Sequence, residues 1–176
     1  MNTFYKKNKL TPIINVSGFM TKIGASIVRN ENINAAKEVL PNFVNIDELQ
    51  SLASKKISKF LRTESAVITA SAAGGLTESV AATITGSDIK KIYKLPNTKG
   101  LKNNVIIQYG HLTNYGAEVG QAIRLSGAKI IKCGSKLSCN QNQLIKKITD
   151  NKNKITCAMY VVSHHCSEYN SVEISK

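Results

Sequence analysis

Ala66-Val67-Ile68-Thr69-Ala70 is a short apolar run ending in small residues, and Ser71-Ala72-Ala73-Gly74-Gly75-Leu76-Thr77-Glu78 follows without a break. The pattern predicts a strand that passes at once into a helix. A helix start carries backbone N–H groups with no intrahelical acceptor and the positive end of the helix dipole, which together suit a phosphate. Small side chains let such an anion reach the backbone. Further on, Gln108-Tyr109-Gly110-His111-Leu112-Thr113-Asn114-Tyr115-Gly116 again lies where a strand should hand over to a helix. The two stretches together predict a site for a phosphorylated cofactor with an imidazole near it. The residues alone leave a second reading open for 71–75, close packing of a helix on a sheet, which small residues also serve. His111 alone reads equally as a polar loop residue.

The elements that must position these groups follow from periodicity. An extended arm broken by Gly18 and Gly24 precedes a short helix over 33–40, which Pro41 should stop. Asn45 with Glu48 three residues on is a capping-box-like start, and Ile46, Leu49, Leu52, Ala53, Ile57, Phe60 and Leu61 recur at three and four, so one helix face packs inward. From residue 66 strands and helices alternate: strand 66–70, helix 72–85, strand 105–108, helix 117–126, strand 129–133, helix 141–149 and strand 155–162. Alternation of this kind predicts βαβ units in a largely parallel sheet with helices on both faces, and ligands at the carboxyl ends of the strands. The lysine-rich segment 88–104, with Pro96 and Gly100, reads as a surface loop.

Composition narrows the classes. A chain of 176 residues suits one domain and can bury a sizeable core. It has no apolar run near the ~18 residues of a membrane span. Residues 1–9 carry lysines with no apolar stretch behind them, so no secretory signal is expected. Cys133, Cys139, Cys157 and Cys166 form no CxxC pair and read as reduced thiols, and the location expected is cytoplasmic. The net charge of +13 is dispersed over lysines, with only Arg29, Arg62 and Arg124 as arginines. Nucleic-acid surfaces favour arginine for its bidentate contacts, so a solvated lysine surface is expected rather than a nucleic-acid partner.

His164-His165 with Cys157 and Cys166 could be drawn as a zinc site, but adjacent histidines on a strand point to opposite faces. No metal site is assigned. Cys166 beside His164 does not by sequence closeness make a nucleophilic dyad. Glu48 reads as a cap, and Met159 and Tyr160 as core or strand residues.

Several blocks occur in one order: Ile13-Ile14-Asn15 with Gly18, Phe43-Val44-Asn45-Ile46-Asp47-Glu48-Leu49-Gln50, the 69–75 turn, Leu95-Pro96-Asn97-Thr98-Lys99-Gly100, Gly110-His111 with Asn114-Tyr115-Gly116, and Tyr160-Val161-Val162-Ser163-His164-His165. In these the chain resembles the selenocysteine-synthase-like group of pyridoxal-phosphate enzymes, within it the D-glucosaminate-6-phosphate ammonia-lyase-like proteins. The resemblance covers about residues 10–172. It implies the aspartate-aminotransferase fold (fold type I), and division into an N-terminal arm and helices, 1–62, and a truncated cofactor-binding large domain, 63–176. Pyridoxal 5'-phosphate is the implied cofactor, with Ser71, Ala72 and Ala73 cradling its phosphate and His111, the catalytic candidate, stacked on its ring. Asn114, Tyr115 and His164 would lie beside the substrate. The implied reaction is β-elimination from a 2-amino-3-hydroxy acid such as a phosphorylated amino-sugar acid. The alternatives are a selenium-transferase-like enzyme acting on seryl-tRNA, and a non-catalytic remnant that binds an anion or nucleic acid.

The same resemblance puts the Schiff-base lysine and the acidic partner of the pyridine nitrogen beyond Lys176, so the chain reads as an N-terminal half. Strand 66–70 would then lose its neighbour and strand 155–162 would become an apolar edge, a geometry that favours association. The expected partners are a second copy or a complementary C-terminal chain, besides a small phosphorylated amino-acid substrate.

Overall fold

The computed structural model of the protein describes residues 3–162. They divide into two compact units, Met1–Leu49 and Gln50–Lys176. The first holds α1 (Thr3–Lys7), α2 (Asn30–Val39) and the opening turn of α3 (Ile46–Leu61). Its elements are shaped by local signals. The Asn45 side chain accepts from the N–H groups of Asp47 (2.9 Å) and Glu48 (3.3 Å), as the capping pattern requires. Helix α2 begins earlier than the periodicity suggests, at Asn30, and ends just ahead of Pro41. The arm between α1 and α2 is irregular, with a single 3-10 turn at Thr21–Ile23. None of the described residues of this unit is buried.

The second unit carries the sheet. Strands β1 (Asn104–Gln108), β2 (Lys129–Cys133) and β3 (Ile155–Met159) are parallel, with β1 central between β2 and β3. Helices α4 (Ala72–Thr85), α5 (Ile89–Lys94), α6 (Val119–Leu125) and α7 (Gln141–Asn151) complete it. The period of two divides β1 between two cores. Val105 and Ile107 pack with Val80 and Ile84 of α4 and Val119 and Ile123 of α6. Ile106 points the other way, to Cys133, Cys139 and Leu144 of α7. The α/β class and helices on both faces are therefore as expected. Complete burial of Ile106, Ile107 and Ile123 contributes roughly 1.5–3 kcal/mol per side chain. At Gly127, where φ is +85°, a Cβ would run into the Pro96 carbonyl, so only glycine lets the 95–100 loop lie against the turn before β2.

Three expectations are corrected. Residues 66–70 form no strand, because no sheet neighbour lies alongside them among the described residues. The Gln50 amide substitutes for that neighbour: its Nε2 donates to Ile68 O (2.9 Å) and its Oε1 accepts from Ile68 N–H (3.4 Å). Ser54, one turn on, accepts from Ala66 N–H at 3.1 Å. The supposed loop 88–104 contains α5, started by Asp88, whose carboxylate accepts from Lys90 and Lys91 N–H (3.0 and 3.3 Å). Those backbone bonds, that of Lys91 foremost, hold the Asp88 carboxyl below its usual range. Strand β3 ends at Met159, not at 162. No helix among the described residues is long and apolar enough to cross a membrane.

Candidate functional site

The direction of α4 decides which end of the sheet its first turn faces. Near its far end the Thr83 carbonyl accepts from Thr156 Oγ1, at the start of β3 (2.6 Å). Ala72 stands eleven residues earlier along α4, about 16 Å at 1.5 Å per residue. That is about the length of a five-residue strand. The first turn of α4 therefore lies toward the carboxyl ends of the strands, the end at which β1 gives way to His111.

Ser71 is the N-cap: its Oγ accepts from Gly74 N–H at 3.0 Å, and its carbonyl accepts from Gly75 N–H at 2.9 Å. Two donors of the first turn remain, the N–H groups of Ala72 and Ala73, and neither meets an acceptor among the described residues. Ser71 and Ala72 are exposed and Ala73 is half-buried, so both donors and the Ser71 hydroxyl are open to a ligand. The glycines keep the turn tight: a Cβ at Gly75 would stand 3.0 Å from Thr69 Oγ1 and one at Gly74 3.3 Å from Ser71 Oγ. Thr77 then anchors α4, its hydroxyl reaching Ala73 O (3.0 Å) and Ala122 O of α6 (2.9 Å).

His111 closes a 3-10 turn, Tyr109–His111, directly after β1, and is fully buried. Its Nδ1 accepts from Val161 N–H at 3.2 Å, which leaves the proton of the neutral ring on Nε2. Burial holds the ring below its ordinary value, so it is neutral at neutral pH. The Tyr160 ring meets it edge-on, with centroids 4.6 Å apart at 82°. Among the described residues Nε2 has no hydrogen-bond partner, and neither has the buried hydroxyl of Thr113 two residues on. A buried N–H without a partner costs free energy, so this donor is one that a ligand or a water could satisfy.

Asn114 and Tyr115 lie in the turn after His111. The Asn114 side-chain oxygen accepts from Gly116 N–H (2.8 Å), and Asn114 pairs with Glu118 in an isolated bridge. Tyr115 is half exposed. The fold thus brings the 71–73 turn and the segment 111–115 to one end of the sheet, while His164 lies outside the described residues, as do His165 and Cys166. Cys157 packs on the α4 side of the sheet. No cluster of metal-ligating side chains occurs among the described residues.

Sequence reasoning missed four neighbours of this site. Tyr160 does not merely fill the core but buttresses His111. Lys132 sits over the Tyr109 ring, 4.4 Å from its centroid, and brings positive charge to the ends of β1 and β2. Gln50 and Ser54 secure the chain leading into the Ser71 turn. Their i, i+4 spacing, which puts both on one side of α3, was the available signal.

No family model matches the chain. Over 170 residues it is 34% identical to D-glucosaminate-6-phosphate ammonia lyase of Salmonella typhimurium (strain 14028s / SGSC 2262), an alignment that takes in 97% of this chain and 45% of that protein. A solved structure of D-glucosaminate-6-phosphate ammonia-lyase superposes with a TM-score of 0.89 at 34% identity, again over 97% of this chain and 45% of the other. A 5'-C-glycyluridine monooxygenase-decarboxylase of a Streptomyces species is 23% identical over 160 residues, 90% of this chain and 39% of its own length. The chain spans less than half the length of the curated relatives it matches. It is a homologue of the N-terminal part of D-glucosaminate-6-phosphate ammonia lyase.

Proposed function

We propose that this homologue supplies the phosphate-binding half of a pyridoxal-phosphate-dependent lyase of fold type I, acting on a phosphorylated 2-amino-3-hydroxy acid. The observation that carries the reading is the pair of open N–H groups at Ala72 and Ala73, which share one end of the sheet with the His111 Nε2, partnerless among the described residues. The residues fit the cofactor's chemistry: a dianion needs converging donors with no bulk in front of them, and Ser71, Ala72 and Ala73 provide that. When bound, pyridoxal 5'-phosphate supplies an electron-accepting ring that stabilises negative charge on the substrate's α-carbon.

The protein's part is to bind and orient. Ser71, Ala72 and Ala73 hold the phosphate. His111, neutral and fixed from behind by Val161 and Tyr160, presents the Nε2 proton to the cofactor or substrate. Asn114 and Tyr115 line the substrate side. The lysine and the acidic group such chemistry requires belong, on this reading, to the portion of the relatives that the chain does not span. A second copy or a complementary chain would cover the exposed Val67 and Ile68, 71% and 54% accessible beside the Ser71 turn. The reaction rests on the 34% relation rather than the 23% one, since the two relatives bear different activities by name.

The test is reconstitution. The chain is combined with a polypeptide matching the part of the Salmonella relative it does not span, and ammonia release from D-glucosaminate 6-phosphate is followed. Release is expected only with both polypeptides and pyridoxal phosphate present. It should be lost in Ser71→Asp, whose carboxylate repels the phosphate. A stable two-chain assembly that binds the cofactor yet releases no ammonia would overturn the substrate assignment.

A further inference from the structure

Two buried sulfurs at the end of β2 belong to no part of the proposed site. Cys133 ends β2 and Cys139 stands two residues ahead of α7, and their Sγ atoms lie 3.4 Å apart, the Cys139 thiol donating. Cys133 has no exposed surface and Cys139 only 5%. The link between them is exposed and closed on itself. Ser135 N–H donates to Ser138 O at 2.8 Å, and Ser135 Oγ accepts from the N–H groups of Leu137 and Ser138 at 3.2 and 3.0 Å. Gly134 adopts φ +70°, and a Cβ there would stand 2.7 Å from Cys139 Cβ, so a side chain at this position would displace Cys139.

A core position needs only apolar bulk, which alanine or valine would supply. Two thiols in direct contact across a five-residue turn are also the reactants of a two-electron oxidation. A disulfide needs its sulfurs about 2 Å apart, so closure asks for a shift of little more than an ångström. We propose that Cys133 and Cys139 are a modification site, an oxidisable dithiol that a small hydroperoxide converts to an intramolecular disulfide.

The Cys133 thiolate attacks one peroxide oxygen; the S–O bond forms as the O–O bond breaks, and hydroxide leaves. Sulfur is oxidised by two electrons and the peroxide reduced. The Cys139 sulfur then attacks the sulfenic sulfur, expelling hydroxide, which takes up the Cys139 proton. With hydrogen peroxide, two thiols and one peroxide give one disulfide and two waters. The order follows from the contact. The Cys139 S–H donates to the Cys133 sulfur, which makes Cys133 the acceptor of the pair and Cys139 its proton holder. Burial, with Cys133 alongside, pushes the Cys139 thiol up to about 12, so it keeps its proton until the sulfenic acid forms. Burial of Cys133 restricts the oxidant to a small molecule that enters by opening of the 134–138 turn. The product ties the end of β2 to the start of α7.

The whole chain is titrated with hydrogen peroxide, alkylated without reduction, cleaved after lysine and mapped by mass spectrometry. The expected product is a cross-linked pair, 133–136 with 137–146, lighter than its two free peptides by two hydrogens. Both cysteines should lose alkylation in equal measure and regain it with dithiothreitol, while Cys157 stays alkylatable. In Cys139→Ser the intermediate should persist as a dimedone adduct on Cys133. Oxidation of Cys157 ahead of the pair, or sulfinic acid on either cysteine without the cross-link, would overturn the proposal. The mapping on the unaltered chain decides the matter whether or not the variant folds.

Discussion

The two units of this chain make helices by different means. Residues 3–49 form them with no buried residue among those described, and leave Ile14, Phe19, Ile27 and Phe43 almost wholly exposed. The sheet-bearing unit sets α4, α6 and α7 on two cores that share β1 between them. Helix starts are local events that a side chain such as Asn45 can secure, whereas sheets and cores need partners distant in sequence. The second unit therefore carries the positioned groups, and the first carries apolar surface with nothing packed on it within its own unit.

The comparison can be broken most sharply by truncating one large apolar residue in each unit. Ile106→Ala opens a cavity between β1 and α7 and should cost about 2–5 kcal/mol in denaturant unfolding. Phe43→Ala, at a fully exposed position, should stay within about 0.5 kcal/mol. Equal losses would mean that Phe43 is packed in solution and that the contrast between the units is false.

A smaller, pH-dependent effect sharpens it at His111. Above 6.5, the ordinary imidazole value, the ring is neutral in both folded and unfolded chains. As pH falls below that value the unfolded chain takes up a proton that the buried ring, its pKa depressed by desolvation, accepts only at lower pH. Stability is then expected to fall with pH from about 6.5 toward the depressed value. His111→Gln should flatten this part of the stability profile. An unchanged slope would show that His111 is solvated.

How much of this was legible in the sequence varied with the kind of signal. Helix Ala72–Thr85 and strand Lys129–Cys133 lie where the alternation put them. The Asn140 side of α7 carries a reciprocal box with Gln143, a pattern that side-chain types alone can announce. Residues 66–70 misled because an apolar run becomes a strand only beside another strand, and here a glutamine amide takes that place. Helix α5 was hidden among lysines, its only sign being Asp88 at the cap. At the site, His111 was legible as a residue following a strand and Ser71 as one opening a helix. The burial of His111, the Tyr160 buttress and the contact of Cys133 with Cys139 depend on how distant backbone segments meet, and no local pattern encodes that.

The central claim is that the first turn of α4 binds the cofactor's phosphate, and backbone amide spectra test it most directly. The chain labelled with 15N is titrated in turn with pyridoxal 5'-phosphate, inorganic phosphate and phosphate-free pyridoxal. The account predicts that the Ala72 and Ala73 amide signals move with the first two ligands and stay in place with pyridoxal. If they stay in place with pyridoxal phosphate while other signals shift, the phosphate lies elsewhere and the account is wrong.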